Sequence, residues 1–577
     1  MANRVEEQYN YWLNDAYFDE ATKAELRAIA GDSAEIEERF YKDLVFGTGG
    51  LRGVIGAGTN RMNIYTVRKA TQGLSNYIKK NGSPEKGVAI AYDSRRMSPE
   101  FADVAALNLA ANGIKAYVFD SLRPTPELSF ALRYLGCQAG IVITASHNPP
   151  EYNGYKCYWE DGAQMTPPHD VGVIAEVEAV TSYNDVYTMD KEEAVASGLY
   201  NVIGGEVDDA YIAAVRTQSL HPDAIAAQAD KLKIVYTPFH GTGLVPVTRI
   251  LKELGFKHVT VVPEQELPDP DFTTLDYPNP EDPKAFTLAL ALAKEQDADL
   301  VLATDPDADR LGIYAKDAGT GEYIPFTGNM SGTLIGEYVF SQRKALGLLP
   351  ENPALITTIV TTNMVPRVAA EYGAACFEVL TGFKYIGEKI KHFEADHSYN
   401  YVFGLEESYG CLAGTHARDK DAITAVMLLC EAAAYYKEQG LTLWDQMINI
   451  YEKYGYYRET QYSITMKGID GAAEIEALMN DLRNDPPKKF GRWTVEEFRD
   501  YKTGRTVEPA TGKEGVTGLP ESNVLYFALD EDSWCCARPS GTEPKIKFYM
   551  GVKGTSIDDA KALCEELTAA VRERIGR

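Results

Sequence analysis

The 577 residues contain no C-x-x-C pair and no cluster of cysteine and histidine at zinc spacing, so a structural zinc site has no ligand set here. Cysteines 137, 157, 376, 411, 430 and 564 stand apart, while Cys535 and Cys536 are adjacent, an awkward arrangement for a structural disulfide. All eight are expected to be reduced and mostly buried, as in a cytosolic protein. Long apolar runs are also missing. The longest, Ala422 to Cys430, stops at Glu431 and is too short to span a bilayer. The opening MANRVEEQYNYWLNDAYFDE has neither the basic start nor the apolar stretch of a signal peptide, so a cytoplasmic location is expected. Positive charge is in deficit. The 57 Lys and Arg against 84 Asp and Glu leave a formal net charge of −27. That balance argues against nucleic-acid binding, which needs cations to neutralise phosphates, and against docking on anionic membranes. With 45% hydrophobic and 24% charged residues the composition is that of an ordinary globular protein. Global disorder is excluded, and at roughly 150 residues per domain the length suggests about four domains.

Three sets of β-branched segments recur, each segment closing in a loop of Gly, Pro, Asp, Ser or Thr. The first holds GVAIAYDSRR (87–96), IKAYVFDS (114–121) and AGIVITASHNPP (139–150). The second holds LKIVYTPFHGTG (232–243), HVTVVPEQ (258–265) and ADLVLATDPDADR (298–310). The third holds ALITTIVTTN (354–363), ACFEVLTGFKYIG (375–387) and YNYVFGLEESYG (399–410). Helical stretches such as 99–113 and 283–296 lie between them, a pattern that predicts α/β domains with mixed, largely parallel sheets. The C-terminal part reads as antiparallel strands (458–468, 523–552) followed by an amphipathic helix over 556–575 with Ser556 as its N-cap, an α+β unit. Residues 1 to 40 are helical in pattern and are expected to pack on the first domain. Boundaries near 214, 323 and 447 give domains at 1–213, 214–322, 323–446 and 447–577.

Ligand sites in such sheets gather at the carboxyl ends of strands, where four polar loops are found. Thr144-Ala-Ser146-His147-Asn148-Pro149 places a serine at a strand end. His147 is too close in sequence to serve easily as its in-line base, and a plain polar turn is the alternative. In Asp305-Pro-Asp307-Ala-Asp309-Arg310, three alternating carboxylates repel one another unless a cation sits among them. An EF-hand fails because Arg310 and Lys316 occupy its sixth and twelfth positions, whereas octahedral Mg²⁺ suits the set. Gly404-Leu-Glu406-Glu407-Ser408-Tyr409-Gly410 offers acceptors for sugar hydroxyls, or else is a capped strand-to-helix turn. Arg538-Pro-Ser540-Gly541-Thr542-Glu543-Pro544-Lys545, with Lys547 behind it, is a local cationic cluster in an acidic chain and suits a phosphate.

Taken together, TASHNPPEYNGYKCY, DPDADR, GLEESYG and RPSGTEPKIKFY, in this order, resemble the α-D-phosphohexomutase superfamily. FGTGGLRG (46–53), YDSRRMS (92–98), TGFKYIG (381–387) and RDKDA (418–422) match as well. The length and the N-terminal helical part are most similar to the branch around phosphoglucomutase-2. The resemblance implies four domains, heart-shaped around a central cleft. It implies Ser146 as the phosphorylated serine and Asp305, Asp307 and Asp309 as ligands of Mg²⁺, with the phosphoserine oxygen completing the set. Glu406 and Ser408 would bind sugar hydroxyls, and Arg538, Ser540 and Thr542 the phosphate that is not being transferred. Lys156 and Arg52 would sit beside the transferring phosphoryl group, Arg310 and Lys384 would line the cleft, and His147 would support the serine loop. Lys156 is the first choice for general acid/base, a role that asks for a lowered pKa.

The implied activity is interconversion of glucose 1-phosphate and glucose 6-phosphate, with glucose 1,6-bisphosphate as intermediate and activator. The sugar loop E-E-S-Y-G is close to a glucose-preferring pattern and lacks the G-E-M-S-G-H form of dual-specificity phosphomannomutases. Phosphomannomutase, phosphopentomutase and glucose 1,6-bisphosphate synthase remain alternatives, and a non-catalytic sugar-phosphate sensor would have no need of the serine and the metal loop. Small sugar phosphates are the expected partners, and a monomer or weak dimer the expected state.

Overall fold

The computed structural model describes residues 2–47, 49–466, 468–540 and 545–576. Its backbone gathers into two compact units: 1–325 with 386–396 and 410–440, and 326–385 with 397–409 and 441–577.

The first unit holds two α/β layers. In one, the strands Ala139–Ile143, Val88–Tyr92, Ala116–Phe119 and Tyr200–Ile203 run parallel in that order. All residues of Ala139–Ile143 are buried, as expected for a strand covered on both faces. The chain then reverses through the serine loop into Tyr152–Trp159, which pairs antiparallel with Ala139–Ile143 and with Gly50–Val54. In the other layer, Lys233–Thr237 lies in parallel between His258–Val261 and Leu300–Thr304. Here too the last parallel strand reverses, through the acidic loop into antiparallel Leu311–Lys316. Helix Ala422–Glu438, buried along most of its length, packs against helices Pro222–Gln228 and Leu244–Leu254. Residues 1 to 40 form helices Ala2–Asn14, Glu20–Ala28 and Ser33–Phe40. Trp12, Phe18, Leu26 and Phe40 seal them onto Tyr65 and Ala57 of the first layer.

In the second unit, Pro353–Thr358 pairs in parallel with Ala375–Val379 and Asn400–Glu406. The C-terminal part is an eight-stranded antiparallel sheet, whose neighbours include Ser533–Pro539 and Lys545–Gly554. Ile359, Val360 and Leu380 share one apolar cluster with Tyr526, Trp534, Cys536 and Tyr549, so the layer of Pro353–Thr358 and the C-terminal sheet have a common core. The final helix runs Ile557–Arg574, with the Ser556 hydroxyl accepting from the Asp559 N–H. The 283–296 stretch differs from a single helix. It begins as a 3₁₀ turn, Pro283–Phe286, because Pro283 follows the cap Asp282, and becomes α-helical only at Thr287–Gln296.

Among the described residues no helix is long and apolar enough to cross a membrane. All eight cysteines are unpaired thiols, and only Cys376 is not fully buried.

Candidate active site

The serine loop is a strained turn. After Ile143 the chain must double back toward Tyr152, and Ser146 takes φ +51°, a left-handed conformation that costs a non-glycine residue on the order of 1–3 kcal/mol. Its N–H donates to Thr144 Oγ1 at 2.8 Å, fixing the turn. The Ser146 hydroxyl is buried and donates to Asp305 Oδ2 at 2.8 Å. His147 Nδ1 stands 3.2 Å from the same oxygen. Burial, with Arg310 and Arg52 nearby, holds the His147 pKa well below its ordinary value, so the ring is neutral at pH 7. Arg52, on strand Gly50–Val54, donates to Asn148 Oδ1 at 3.1 Å. It therefore reaches the serine loop.

The acidic loop is tied into the same place. Asp305 Oδ1 accepts from the N–H groups of Asp309 and Arg310 at 3.1 and 3.0 Å, and Ala308 takes φ +49° to close the turn. Asp307 Oδ2 accepts from Lys156 Nζ and from Thr125 Oγ1, each at 2.7 Å. Asp309 Oδ2 faces Lys420 at 3.1 Å and Lys156 at 3.4 Å. Arg310 is held by Glu281 at 3.1 Å. Burial first, and then the charges of Asp307 and Asp309, push the Asp305 pKa well above the carboxylate range. Asp309 moves the other way: burial opposes its charge, but Lys420, Lys156 and Arg310 prevail and lower it.

One carboxylate oxygen from each Asp lies within 4.8 Å of the other two. Asp307 Oδ1 and Asp309 Oδ1 are buried without a hydrogen-bond partner, a costly state for charged oxygens. Buried carboxylate oxygens converging in this way fit a small hard cation. Lys156 departs from the expectation of a lowered pKa. Burial pulls it down, yet Asp307 and Asp309 outweigh burial and raise it. In this arrangement Lys156 is a firmly charged ammonium.

The second unit carries the other loops. Glu406 ends strand Asn400–Glu406, is buried, and accepts from the Gly382 N–H at 2.8 Å. Lys384, in the next turn after Gly382, is also buried, with Nζ 4.9 Å from the Tyr385 ring centre. Burial and the Glu406 charge push Glu407 up to about 7, against Arg538 and Thr358, which lower it. Ser408 is partly exposed in the turn, followed by Tyr409 at φ +66°. Arg538 stands opposite Lys547 in the antiparallel register, and its charge works against the burial that raises the Tyr549 pKa. The Ser540 N–H donates to Lys545 O at 2.7 Å, closing the loop's base. Thr542 lies outside the described residues.

The structure adds residues that sequence motifs alone leave out. Lys420 and Asp419 are bonded to each other, Asp419 accepts from Tyr158 OH at 2.8 Å, and Lys420 neutralises Asp309. Thr125, at the start of helix Thr125–Tyr134, takes up Asp307 through side chain and backbone. Only RDKDA carried any signal for these, and no spacing joins Thr125 to Asp307.

Three α/β layers ahead of a β-rich C-terminal sheet, with a strand-end serine bonded into a buried carboxylate triad, define a phosphohexomutase-type protein. Models of the phosphoglucomutase/phosphomannomutase alpha/beta/alpha domains I, II and III match residues 43–184, 209–319 and 327–454. A phosphoglucomutase of Staphylococcus epidermidis is 37% identical over 543 residues, covering 93% of this chain and 95% of its own. A phosphoglucomutase of Staphylococcus aureus is 37% identical as well, with 91% and 93% covered. Among solved structures, the Paramecium exocytosis-sensitive phosphoprotein pp63/parafusin, a phosphoglucomutase, superposes with TM-score 0.67 at 18% identity over 93% of this chain and 96% of its own. A phosphoglucomutase/phosphomannomutase family protein of Burkholderia thailandensis gives 0.64 at 20% identity over 92% and 98%. The chain belongs to the phosphoglucomutase/phosphomannomutase family of mutases.

Proposed function

We propose that this mutase interconverts glucose 1-phosphate and glucose 6-phosphate through a phosphorylated Ser146 and glucose 1,6-bisphosphate. The observation that carries the reading is the Ser146 hydroxyl bonded at 2.8 Å to a buried triad of converging carboxylates, two of whose oxygens, Asp307 Oδ1 and Asp309 Oδ1, accept no hydrogen bond. It is supported by phosphoglucomutase relatives matched over nearly their whole length. The four-domain division at 1–213, 214–322, 323–446 and 447–577 belongs to the same proposal.

Asp305, Asp307 and Asp309 would hold Mg²⁺, which when bound neutralises charge on the phosphoryl oxygens. Phosphoryl transfer asks mainly for positioning and charge neutralisation. The Oγ–P bond of phosphorylated Ser146 breaks as the 6-oxygen of glucose 1-phosphate bonds to phosphorus, and the 6-hydroxyl proton ends on Ser146 Oγ, which leaves as a hydroxyl. The bisphosphate then turns and returns its 1-phosphate to the same oxygen. Lys156 stays protonated and, with Arg52, holds negative charge in transit. Neutral His147, with its proton on Nδ1, donates to Ser146 Oγ and orients it. Glu406 and Ser408 take sugar hydroxyls, and Arg538 with Ser540 and Thr542 grips the distal phosphate, with Arg310 and Lys384 as further cationic contacts.

Intact-mass and peptide mapping should locate one phosphoryl group on Ser146 after incubation with glucose 1,6-bisphosphate. A Ser146→Ala enzyme of full activity would end the proposal. Turnover on glucose 1-phosphate, mannose 1-phosphate and ribose 1-phosphate, with and without the bisphosphate, sorts the substrates. Preference for the mannose or ribose ester would replace glucose as substrate.

A further inference from the structure

We infer that Arg95 is a positioning residue for Ser146: its guanidinium holds the serine loop in the strained geometry that aims the hydroxyl at the acidic loop. The inference rests on the reading of Ser146 as the phosphoryl carrier.

Arg95 is buried beside the loop and donates to four of its carbonyls. Nη2 reaches Ser146 O at 2.6 Å and Asn148 O at 2.5 Å, while Nη1 reaches Pro149 O at 2.8 Å and Tyr152 O at 3.1 Å. Pro149 O also accepts from the Tyr152 N–H at 3.1 Å, while the Ser146 and Asn148 carbonyls are met by the guanidinium. One planar fork meets them; a lysine ammonium on a flexible stem cannot match that geometry. The fork is itself fixed. Nε pairs with the fully buried Asp93 at 3.3 Å, and Asp93 accepts from the Arg95 N–H at 3.0 Å and from Ser98 Oγ at 2.7 Å. On the other side the guanidinium lies 5.0 Å from the ring centre of Phe272, which also has a left-handed backbone (φ +47°). Phe272 comes from the long 267–282 loop of the second layer. Its neighbour Asp271 pairs with Arg96, and its Glu281 holds Arg310 next to Asp309. One loop thus braces the residue behind Ser146 and a cation beside the triad.

The test uses the full-length enzyme carrying Arg95→Lys or Phe272→Leu, beside wild type. A misplacement of about 1 Å in a reacting group costs about a hundredfold in rate. In Arg95→Lys, the rate constant for phosphoryl transfer from glucose 1,6-bisphosphate to Ser146, measured per phosphorylatable molecule, should fall about a hundredfold. KM for glucose 1-phosphate should stay within about threefold. Phe272→Leu, which keeps the fork and removes its ring, should lose about three- to tenfold in the same rate. Hydrogen exchange over 144–152 should quicken in both variants. A merely structural role would lower the amount of active enzyme and leave the rate per phosphorylatable molecule intact, and that result overturns the inference. If Arg95→Lys does not fold, Phe272→Leu decides. A wild type that takes no phosphoryl group on Ser146 sinks the functional reading, while unchanged exchange over 144–152 in the variants sinks the role of Arg95.

Discussion

Asp305 receives the Ser146 hydroxyl on one oxygen and two backbone N–H groups on the other, yet burial and two neighbouring carboxylates raise its pKa. A carboxyl whose folded pKa is raised stabilises the fold below its unfolded value and loses that contribution as pH rises through the folded value. In EDTA, therefore, melting temperature should fall as pH climbs from the ordinary carboxylate range through the raised pKa of Asp305. Asp305→Asn should flatten that slope, and Mg²⁺ should stabilise wild type most at the alkaline end. Differential scanning calorimetry at pH 4.5, 6 and 8 checks this, and an unchanged slope in the variant would show that Asp305 is not the group responsible. Asp307→Asn removes the charge behind one of the two buried carboxylate oxygens that accept no hydrogen bond. It should lower kcat by about two orders of magnitude or more and weaken Mg²⁺ binding by calorimetry, with circular dichroism unaltered.

Ser146 and the triad could be read from the sequence because each lies in a short run whose chemistry is unusual at a strand end. Thr125 could not, and Arg95 and Lys420 stood in the matching fragments 92–98 and 418–422 with no role to read from them. Arg95, Thr125 and Lys420 reach the site from segments 51, 182 and 111 residues away from Ser146, Asp307 and Asp309, and contact at that separation is a property of the fold. Lys156 was legible as a residue but not in its charge state, which depends on two aspartates in the loop 305–310.

At the scale of elements, the chemistry sits where a strand ends and the chain reverses. Among the described residues, three of the four polar loops singled out in the sequence contain a non-glycine residue with positive φ: Ser146, Ala308 and Tyr409. Parallel α/β strands and their polar ends were visible in residue patterns. The antiparallel return strands Tyr152–Trp159 and Leu311–Lys316 were not, since Asn153-Gly154 and Gly312 interrupt the β-branched runs that mark strands. Glycine explains how other segments come so close behind these loops. A Cβ on Gly241 would lie 2.4 Å from Pro306 Cα in the acidic loop, and one on Gly328 would lie 2.1 Å from Glu407 O. The Thr242 N–H donates to Pro306 O at 2.8 Å, so the HGTG segment cannot simply draw back. Gly241→Ala should cost about 1–3 kcal/mol of stability in urea melts, as overpacking does, and should raise the Mg²⁺ concentration needed for half-maximal rate. Stability and metal requirement both equal to wild type would show that the acidic loop yields freely.

Over the whole molecule, the residues to which the proposal gives roles divide between the two compact units. Ser146, Lys156 and the triad belong to the first, while Glu406, Ser408 and Arg538 belong to the second. Substitutions in the two units should therefore leave different kinetic signatures. Arg538→Lys keeps the charge but loses the bidentate geometry, at about 1.5–3 kcal/mol, or roughly ten- to a hundredfold in KM and in the bisphosphate concentration needed for activation. Lys156→Met should act chiefly on kcat. Steady-state kinetics on both variants checks the division, and an Arg538→Lys enzyme with wild-type KM would remove this loop from phosphate binding.

The first unit is not continuous along the chain: after Pro325 it resumes at 386–396 and again at 410–440. Lys420, the cation that offsets Asp309, lies in the last of these pieces, as does Glu431, which takes the Leu220 N–H and the Ser219 hydroxyl. On the ribosome these groups arrive late. Synthesis at about 5–20 residues per second puts roughly 6 to 23 s between Pro325 and Gly440. Throughout that interval the nascent first unit carries its three clustered aspartates without Lys420, and the flanks of helices Pro222–Gln228 and Leu244–Leu254 without the helix that covers them. A translation product halted at Pro325 should consequently be a chaperone client, and release of that client should coincide with emergence of the 410–440 segment from the exit tunnel.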